Sequence, residues 1–295
     1  MFMKLRIAIK LFVYKLFSKN TRISDETYNK ILFFVMFGRI PNFDNPRTFN
    51  EYICARKVRL DEFELSKYTD KFEVRDYVAK CIGEQYLNET YGVFNSFDDI
   101  PFDELPAQFV LRGTHGSGYN IIIKNKNEFD KKKAKKTVDH FLKQNYYYFG
   151  REKNYYNIKP RVLCDKYIEG VADGTVPEAK VFCFNGKAKF ISYNIVIDGQ
   201  TYTNHYDSTW NKLNYRQGYP EYNKEIVIPN QKEIIELAEK LSLLFEFVRV
   251  DLYNLSNKIL FSELTFHSGG GLVPFEPEKY DYQFGEFFKE VSLPR

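Results

Sequence analysis

Cysteine is scarce in this chain of 295 residues, and the four that occur, Cys54, Cys81, Cys164 and Cys183, are far apart and form no CxxC pair. That spacing excludes a zinc knuckle and a disulfide framework and predicts reduced thiols in the core of a cytoplasmic protein. A dominant charge is missing as well. The 43 Lys and Arg nearly balance 39 Asp and Glu, for a net charge of +4. No basic stripe with a matching module marks a nucleic-acid partner. No apolar run is long and uninterrupted enough to span a bilayer, no internal repeat is visible, and no long Pro, Gly or Ser linker divides the chain. Disorder is excluded by the 44 % hydrophobic and 18 % aromatic content, which is that of a packed protein. The length supports two or three structural units.

The first twenty residues, "MFMKLRIAIKLFVYKLFSKN", mix apolar side chains with Lys4, Arg6, Lys10, Lys15 and Lys19. Charges interrupt each apolar run and no small-residue cleavage site follows, so a secretory signal is not expected. Two readings stay open: an amphipathic helix on an anionic membrane surface at the inner face of the membrane, or a helix covering the core. Residues 1–69 read as helical. "DETYNKILFFVMFG" closes on Gly38, and Thr48 and Glu51 have capping-box spacing. "DKFEVRDYVAKCIG" is a further helix that stops at Gly83. From Gln108 the pattern turns to strands, "QFVLRG" and "YNIIIKN", then to a helix with Ala134, Val138, Phe141 and Leu142 on its buried side and the lysines of 131–136 in solvent. Strands return at "RVLCDKYI", "AKVFCFNG" and "KAKFISYNIVID", with Asn185-Gly186 as a hairpin signal. An amphipathic helix, "QKEIIELAEKLSLLF", precedes a last pair, "FVRVDLYN" and "KILFSELTF". Helices mixed with antiparallel hairpins predict an α+β fold.

Three stretches carry chemistry. Gly113, Gly116, Ser117 and Gly118 permit a backbone nest for phosphate, with Arg112 adding a charged fork; a glycine-rich hairpin turn is the competing reading. No GK[ST] follows, so the loop is not a Walker A motif, and a strand rather than a helix comes next, which excludes a dinucleotide fingerprint. In the last hairpin, alternation sets Val248, Val250 and Leu252 on one face and Arg249, Asp251 and Tyr253 on the other. A turn about Ser256 would pair Asp251 with Phe261 and Arg249 with Glu263, placing two carboxylates diagonally within reach of one cation. Two carboxylates completed by substrate phosphates suit Mg²⁺; the competing reading is a structural Arg249–Glu263 pair. "HSGGG" then offers Ser268 and the N–H groups of residues 269–271 to a carboxylate or oxyanion. The aromatic segment "NYYYFGREKNYYN", with Arg151, either stacks on sugar rings or packs.

In order, "YTDKFEVRDYV", "QFVLRGTHGSGYNIII", "NYYYFGRE", "IKPRVLCDKYIEG", "KVFCFNGKAKFI", "FVRVDLYN" and "ELTFHSGGG" resemble the ATP-grasp superfamily, and within it the TupA-like branch of surface polysaccharide biosynthesis; the resemblance begins near "NPRTFNEYICARKV" at residue 45 and runs to the C-terminus. It implies two α+β subdomains clasping ATP, at 70–170 and 171–295, behind the helical region 1–69. It also implies an ATP-dependent carboxylate–amine ligase working through an acylphosphate, with an amine donor and a uronic-acid, saccharide or peptidyl acceptor. By motif, Arg75, Arg112 and Lys180 resemble phosphate ligands, and Gly116, Ser117 and Gly118 a lid with His115 beside it. Asp165, Lys166, Tyr167 and Ile168 resemble the adenine hinge, and Glu169 a ribose acceptor. Asp251, Glu263 and Thr265 resemble the magnesium site, and Arg249 the cation at the tetrahedral intermediate. The chain departs from the superfamily pattern in having arginine at 75 and 112 where lysine is usual, and Thr265 where asparagine is usual. A glycosyltransferase and an inactive nucleotide-fold scaffold are the alternatives.

Overall fold

The computed structural model describes residues 2–20, 22–171 and 173–291. Helix α1 (Phe2–Phe17) and helix α2 (Asp25–Phe37) form an antiparallel hairpin, in which Arg6 donates to the Met36 carbonyl at 2.6 Å and Tyr14 stacks on Tyr28. Ser24 caps α2, and Gly38 ends it in the left-handed conformation (φ 74°) that a side chain would disfavour. Helix α3 (Phe49–Arg59) starts in the expected capping box, with Thr48 and Glu51 each satisfying the other's backbone N–H. Short α4 (Ser66–Thr69) leads to α5 (Val74–Ile82), which stops at Gly83. No helix among the described residues is long and apolar enough to cross a membrane.

A four-stranded antiparallel sheet follows, in the order β1-β4-β2-β3, from β1 (Thr90–Phe94), β2 (Phe109–Gly113), β3 (Asn120–Ile123) and β4 (Val162–Lys166). Helix α6 (Lys131–Leu142) packs Ala134, Val138 and Phe141 onto it. Its lysine run lies mostly in solvent. Short α7 (Tyr147–Gly150) opens the aromatic segment. The second sheet has the order β11-β10-β5-β6-β7-β8. Its strands are β5 (Glu178–Phe184), β6 (Lys187–Ile197), β7 (Gln200–Asp207), β8 (Lys212–Leu213), β10 (Phe247–Leu255) and β11 (Lys258–Thr265). Strand β9 (Arg216–Gln217) pairs with β12 (Phe275–Glu276). Helix α8 (Gln231–Ser242) packs with α5 on one face of the large sheet, and α9 (Lys279–Gly285) joins α3 on the other.

Strand alternation explains both faces. Ala179, Val181 and Cys183 of β5 and Val248, Val250 and Leu252 of β10 point to α5 and α8. The opposite face changes character along its length: Phe182, Phe184 and Phe247 build an aromatic core at one end, and Glu178, Lys180, Arg249 and Asp251 occupy the other. Phe49 of α3 is the hub of that core. Its ring meets Phe182, Phe190, Phe247 and Phe275 edge-on at 5.8–5.9 Å, the geometry aromatic quadrupoles favour. Free thiols agree with the cysteine expectation, with Cys54, Cys164 and Cys183 buried.

The last hairpin corrects the predicted register. Asp251 lies opposite Glu263, Arg249 opposite Thr265, and Leu252 opposite Phe261. The turn is centred on the Ser256–Asn257 pair, and a bulge at Ser262 shifts the strand by one residue. A bulge inserts one unpaired residue and locally changes the twist. The two carboxylates are therefore directly opposed rather than diagonal. Truncation of the aromatic hub, Phe49→Ala, is expected to cost about 3–5 kcal/mol in urea unfolding; a loss below about 1 kcal/mol would show that the aromatic core does not depend on it.

Candidate functional site

A polar row crosses the large sheet in register: His205, Ser192, Lys180, Asp251 and Glu263 stand side by side on β7, β6, β5, β10 and β11. Asp251 is fully buried, and an isolated buried carboxylate is very costly. It is held from two sides. Arg249 donates from Nε to Oδ1 at 2.7 Å and from a terminal nitrogen to Oδ2 at 2.6 Å, a bidentate fork; Lys180 Nζ donates to Oδ2 at 2.8 Å. Lys180 also lies 2.6 Å from Glu178. Burial by itself lowers the Lys180 and Arg249 pKa values, but the Asp251 carboxylate outweighs it and both stand above their ordinary values. Arg249 further donates to Ser268 Oγ and Thr265 Oγ1, each at 3.0 Å.

Glu263 is the carboxylate that keeps an open side, with its side chain 37 % exposed. Burial would raise its pKa; Lys71, Arg249 and Lys180 around it overcome that and hold it near 2. Thr265 donates to its Oε1 at 3.2 Å. Lys71, 3.6 Å from Glu263, donates to the Gly116 carbonyl at 2.9 Å and so ties the glycine loop to the carboxylates. Sequence reasoning passed over Lys71 although it stands inside "YTDKFEVRDYV"; it precedes α5 in a turn, where no periodicity singles it out.

Across the cleft, the small sheet presents Arg112, Asp165, Lys166 and Ile168 opposite Tyr253 of β10. Arg112 pairs with Asp165 at 2.9 Å, and Thr90 donates to the same carboxylate at 2.8 Å. Asp165 is thus a buried anchor for Arg112. Arg75 donates to the Asn88 carbonyl at 2.8 Å. Lys166 is exposed beside Glu89, Tyr167 donates to Asp173, and Glu169 is exposed.

Two loop expectations change. His115 turns into the core: it is buried, its Nε2 is 2.8 Å from the Phe141 carbonyl, and burial lowers its pKa. Gly116 is small because the Tyr119 and Tyr146 rings would lie 2.6 and 2.8 Å from a Cβ; Ser117 is exposed and Gly118 has φ 76° with open space beside it. In "HSGGG" the Gly270 N–H is already donated to the His267 carbonyl at 2.8 Å, so it does not face an oxyanion. The three glycines all have left-handed φ, and a Cβ on Gly271 would meet the Asn50 carbonyl at 2.8 Å, so α3 presses directly on this loop. Arg151 is buried and holds the Asp25 carboxylate and the Asn20 carbonyl, each at 3.0 Å, and so serves packing. Tyr146, Tyr148, Phe149 and Tyr155 of the same segment line a cavity.

Two cavities meet at Arg249 and Gly269. The smaller, about 180 Å³, is bordered by Lys180, Ser192, Asn194 and Ser268. The larger, about 810 Å³, runs from Glu263 and Thr265 past His267 and Tyr155 to α1. Beside it, fully buried His267 lies 2.7 Å from Glu62 and 3.6 Å from Glu152, and Glu62 also pairs with Arg56 at 2.9 Å. None of these acids was singled out by motif.

Two antiparallel sheets facing across a charged cleft, with glycine loops on both sides, define a protein of the ATP-grasp class. The chain matches the model of the TupA-like ATPgrasp family over residues 51–289 and belongs to that family. A search of curated protein sequences returns no match. Among solved structures, the chain is similar to D-alanine–D-alanine ligase from Helicobacter pylori, with 13 % identity, TM-score 0.42 and coverage of 77 % of this chain and 61 % of that one. It is also similar to the L-amino acid ligase from Bacillus licheniformis, with 12 % identity, TM-score 0.46 and coverage of 75 % and 49 %. A third is N5-carboxyaminoimidazole synthase from Aspergillus clavatus in complex with ADP and 5-aminoimidazole ribonucleotide, at 12 % identity, TM-score 0.37 and coverage of 68 % and 44 %. The chain thus spans about 61 % of the length of the first of these.

The His267 cluster sets a pH dependence. Burial lowers the imidazole pKa, but Glu62 and Glu152 reverse this and raise it. A raised folded-state pKa stabilises the fold fully below the unfolded value of about 6.5, and this contribution fades as pH rises through the folded value. Native protein is expected to lose unfolding free energy above neutral pH in denaturant titrations, and His267→Gln to flatten that slope; an unchanged slope in the variant would remove His267 as its source.

Proposed function

We propose that the protein is an ATP-dependent ligase that joins a carboxylate to an amine through an acylphosphate, acting on a saccharide or uronic-acid acceptor with an amino acid or other amine in bacterial surface polysaccharide biosynthesis. The observation that carries this is the placement of Arg249. It is fixed by Asp251, bonded to Ser268, and set at the junction of two separate cavities. A guanidinium there can neutralise the oxyanion formed when material from one cavity attacks material in the other. The family supplies the nucleotide, and the polysaccharide setting rests on the resemblance of the sequence motifs to the surface-polysaccharide branch.

A carboxylate oxygen attacks the terminal phosphorus of ATP and ADP leaves. The amine then attacks the acyl carbon, inorganic phosphate leaves with the former carboxylate oxygen, and the amine gives up a proton. Arg112, Lys71, Lys180 and Arg75 are the cations within or beside the cleft that bind phosphate oxygens. The loop 116–118, tied to Lys71 through the Gly116 carbonyl, is the lid over the phosphates, and residues 165–168 with Tyr253 border the base. Lysine at 71 supplies the point charge that the arginines at 75 and 112 replace with planar forks.

The residues also fit a magnesium ion, at Glu263 rather than Asp251. Glu263 has an open carboxylate edge and Thr265 lies beside it. Asp251, as placed, has its oxygens engaged by Arg249 and Lys180. Among the described residues no group of three or more His, Cys, Asp or Glu side chains forms a metal cage, and one or two carboxylates with substrate phosphates is the usual Mg²⁺ arrangement. The ion, when bound, neutralises phosphate charge. The glycosyltransferase alternative has no support, because the family is an ATP-grasp family.

ADP release is expected to require both an amine and a uronate, tested with amino acids against glucuronate and galacturonate. Glu263→Gln is expected to lower turnover by about 10²–10³-fold with an unchanged thermal unfolding midpoint. Turnover that persists in this variant, or preferential binding of a nucleotide sugar over ATP, would overturn the assignment.

A further inference from the structure

Helix α1 has a face that the fold does not use. Leu5, Ile9, Phe12 and Leu16 follow the i, i+4, i+7, i+11 spacing that forms one helical stripe, and they are 58, 41, 60 and 52 % exposed. The opposite side, with Val13 and partly buried Tyr14 and Phe17, packs on α2. Among the described residues, more than half of the exposed large apolar side chains fall within residues 5–40, Phe34 and Ile40 included. Isolated exposed apolar residues are normal, but a concentration of this kind marks an interaction surface.

Charge identifies the partner. Residues 1–24 hold Lys4, Arg6, Lys10, Lys15, Lys19 and Arg22 and no acidic residue, while the whole chain has a net charge of only +4. Taking away these six leaves the remainder at −2, so the basic character resides in this segment. Lys4, Lys15 and Lys19 are exposed; helical spacing puts Lys4 and Lys15 along one edge of the apolar stripe, and Lys19 follows in the turn just past the end of α1. An apolar stripe edged with lysine matches the boundary between acyl chains and anionic head groups.

The same helix also forms the outer wall of the large cavity. Leu11, Tyr14, Lys15 and Lys19 line its far end, and Glu263, Thr265 and Arg249 line its near end. Lys19 reaches Gln144 across that end at 3.4 Å. The lysine row thus lies between the apolar stripe and the cavity mouth.

We propose that α1 lies in the plane of an anionic bilayer, with its apolar stripe in the acyl boundary and its lysine row on the head groups, so that the large cavity opens at the membrane surface. Resting on the ligase function proposed above, the acceptor entering this mouth is one carried by a membrane lipid.

The test is co-sedimentation of the full chain with vesicles of phosphatidylcholine containing about one part in three phosphatidylglycerol, where two basic or apolar signals together give stable attachment. Native protein is expected to sediment with these vesicles, less so at high salt, and to stay in solution with pure phosphatidylcholine. Leu5→Glu with Phe12→Glu, and separately Lys4, Lys15 and Lys19→Gln, are expected to reduce the bound fraction about tenfold with thermal unfolding unchanged. On the vesicles, amide hydrogen exchange is expected to slow at residues 4–19 and at the mouth, 144–149. Native protein that does not bind, or that binds without protection at the mouth, overturns the proposal. So does a dimer in sedimentation velocity that the Leu5 and Phe12 changes dissociate, which would make the stripe a contact between copies. Comparing ADP release on dodecyl glucuronide in the vesicles with methyl glucuronide in solution separates the two proposals: no turnover on either, with vesicle binding intact, removes the ligase function and leaves the docking surface standing. Turnover that favours the vesicle-borne glucuronide is the expected result, and equal turnover on both would remove the lipid-carried acceptor.

Discussion

The buried Asp251 carboxylate, gripped by the Arg249 fork and by Lys180, is the interaction on which the site depends. Removing either cation would leave a charge without solvent and without a full partner, which typically costs about 3–5 kcal/mol. The arrangement also fixes function-bearing geometry. With Nε and one terminal nitrogen committed to Asp251, the Arg249 guanidinium has a single orientation, and its remaining donor meets Ser268. A flexible cation at the junction of the two cavities would lose that orientation whenever substrate was absent. Preorganisation of this kind is what makes a charge effective toward a developing oxyanion.

The setting of that ion cluster comes from the sheet. One face of β5 and β10 is aromatic at one end and charged at the other, and both ends belong to the same alternation. Phe49 and its neighbours pack the strands close to the charged row. Helix α3 serves both regions, since Phe49 packs in the aromatic core while Lys57 donates to the Gly270 carbonyl at 2.6 Å. The glycine loop next to Ser268 is therefore seated by a helix that belongs to the core, and a change in one is felt in the other. Asp281 completes this brace by accepting the Asn50 N–H at 2.9 Å.

Much of the scaffold was legible because its signals are local. The Thr48–Glu51 capping box, the Gly38 and Gly83 stops, the Asn185-Gly186 turn and the alternation of β10 each act within a few residues. Strand β7 was not legible, because Thr203, Asn204 and His205 are buried polar residues satisfied by partners such as Asn194 and Ser192, and no apolar alternation marks it. Strand β1, short and carrying Gly92, gave little pattern either. The site was legible in part. Arg249, Asp251, Glu263, Thr265 and Ser268 come together, whereas His115 and Arg151 turned out to serve packing and Lys71 entered unannounced.

The sequence by itself determined the helices, most of the strands and the α+β class, because propensity, capping and alternation are properties of neighbouring residues. Tertiary structure alone decided which charges face one another. Lys180 and Asp251 are 71 residues apart in the chain and meet only because β5 pairs with β10; Asp251 opposes Glu263 only because a bulge at Ser262 shifts β11 by one residue. A strand slipped by a single position turns its side chains to the other face, so a pairing of this kind is set by the whole sheet and by no short stretch of it.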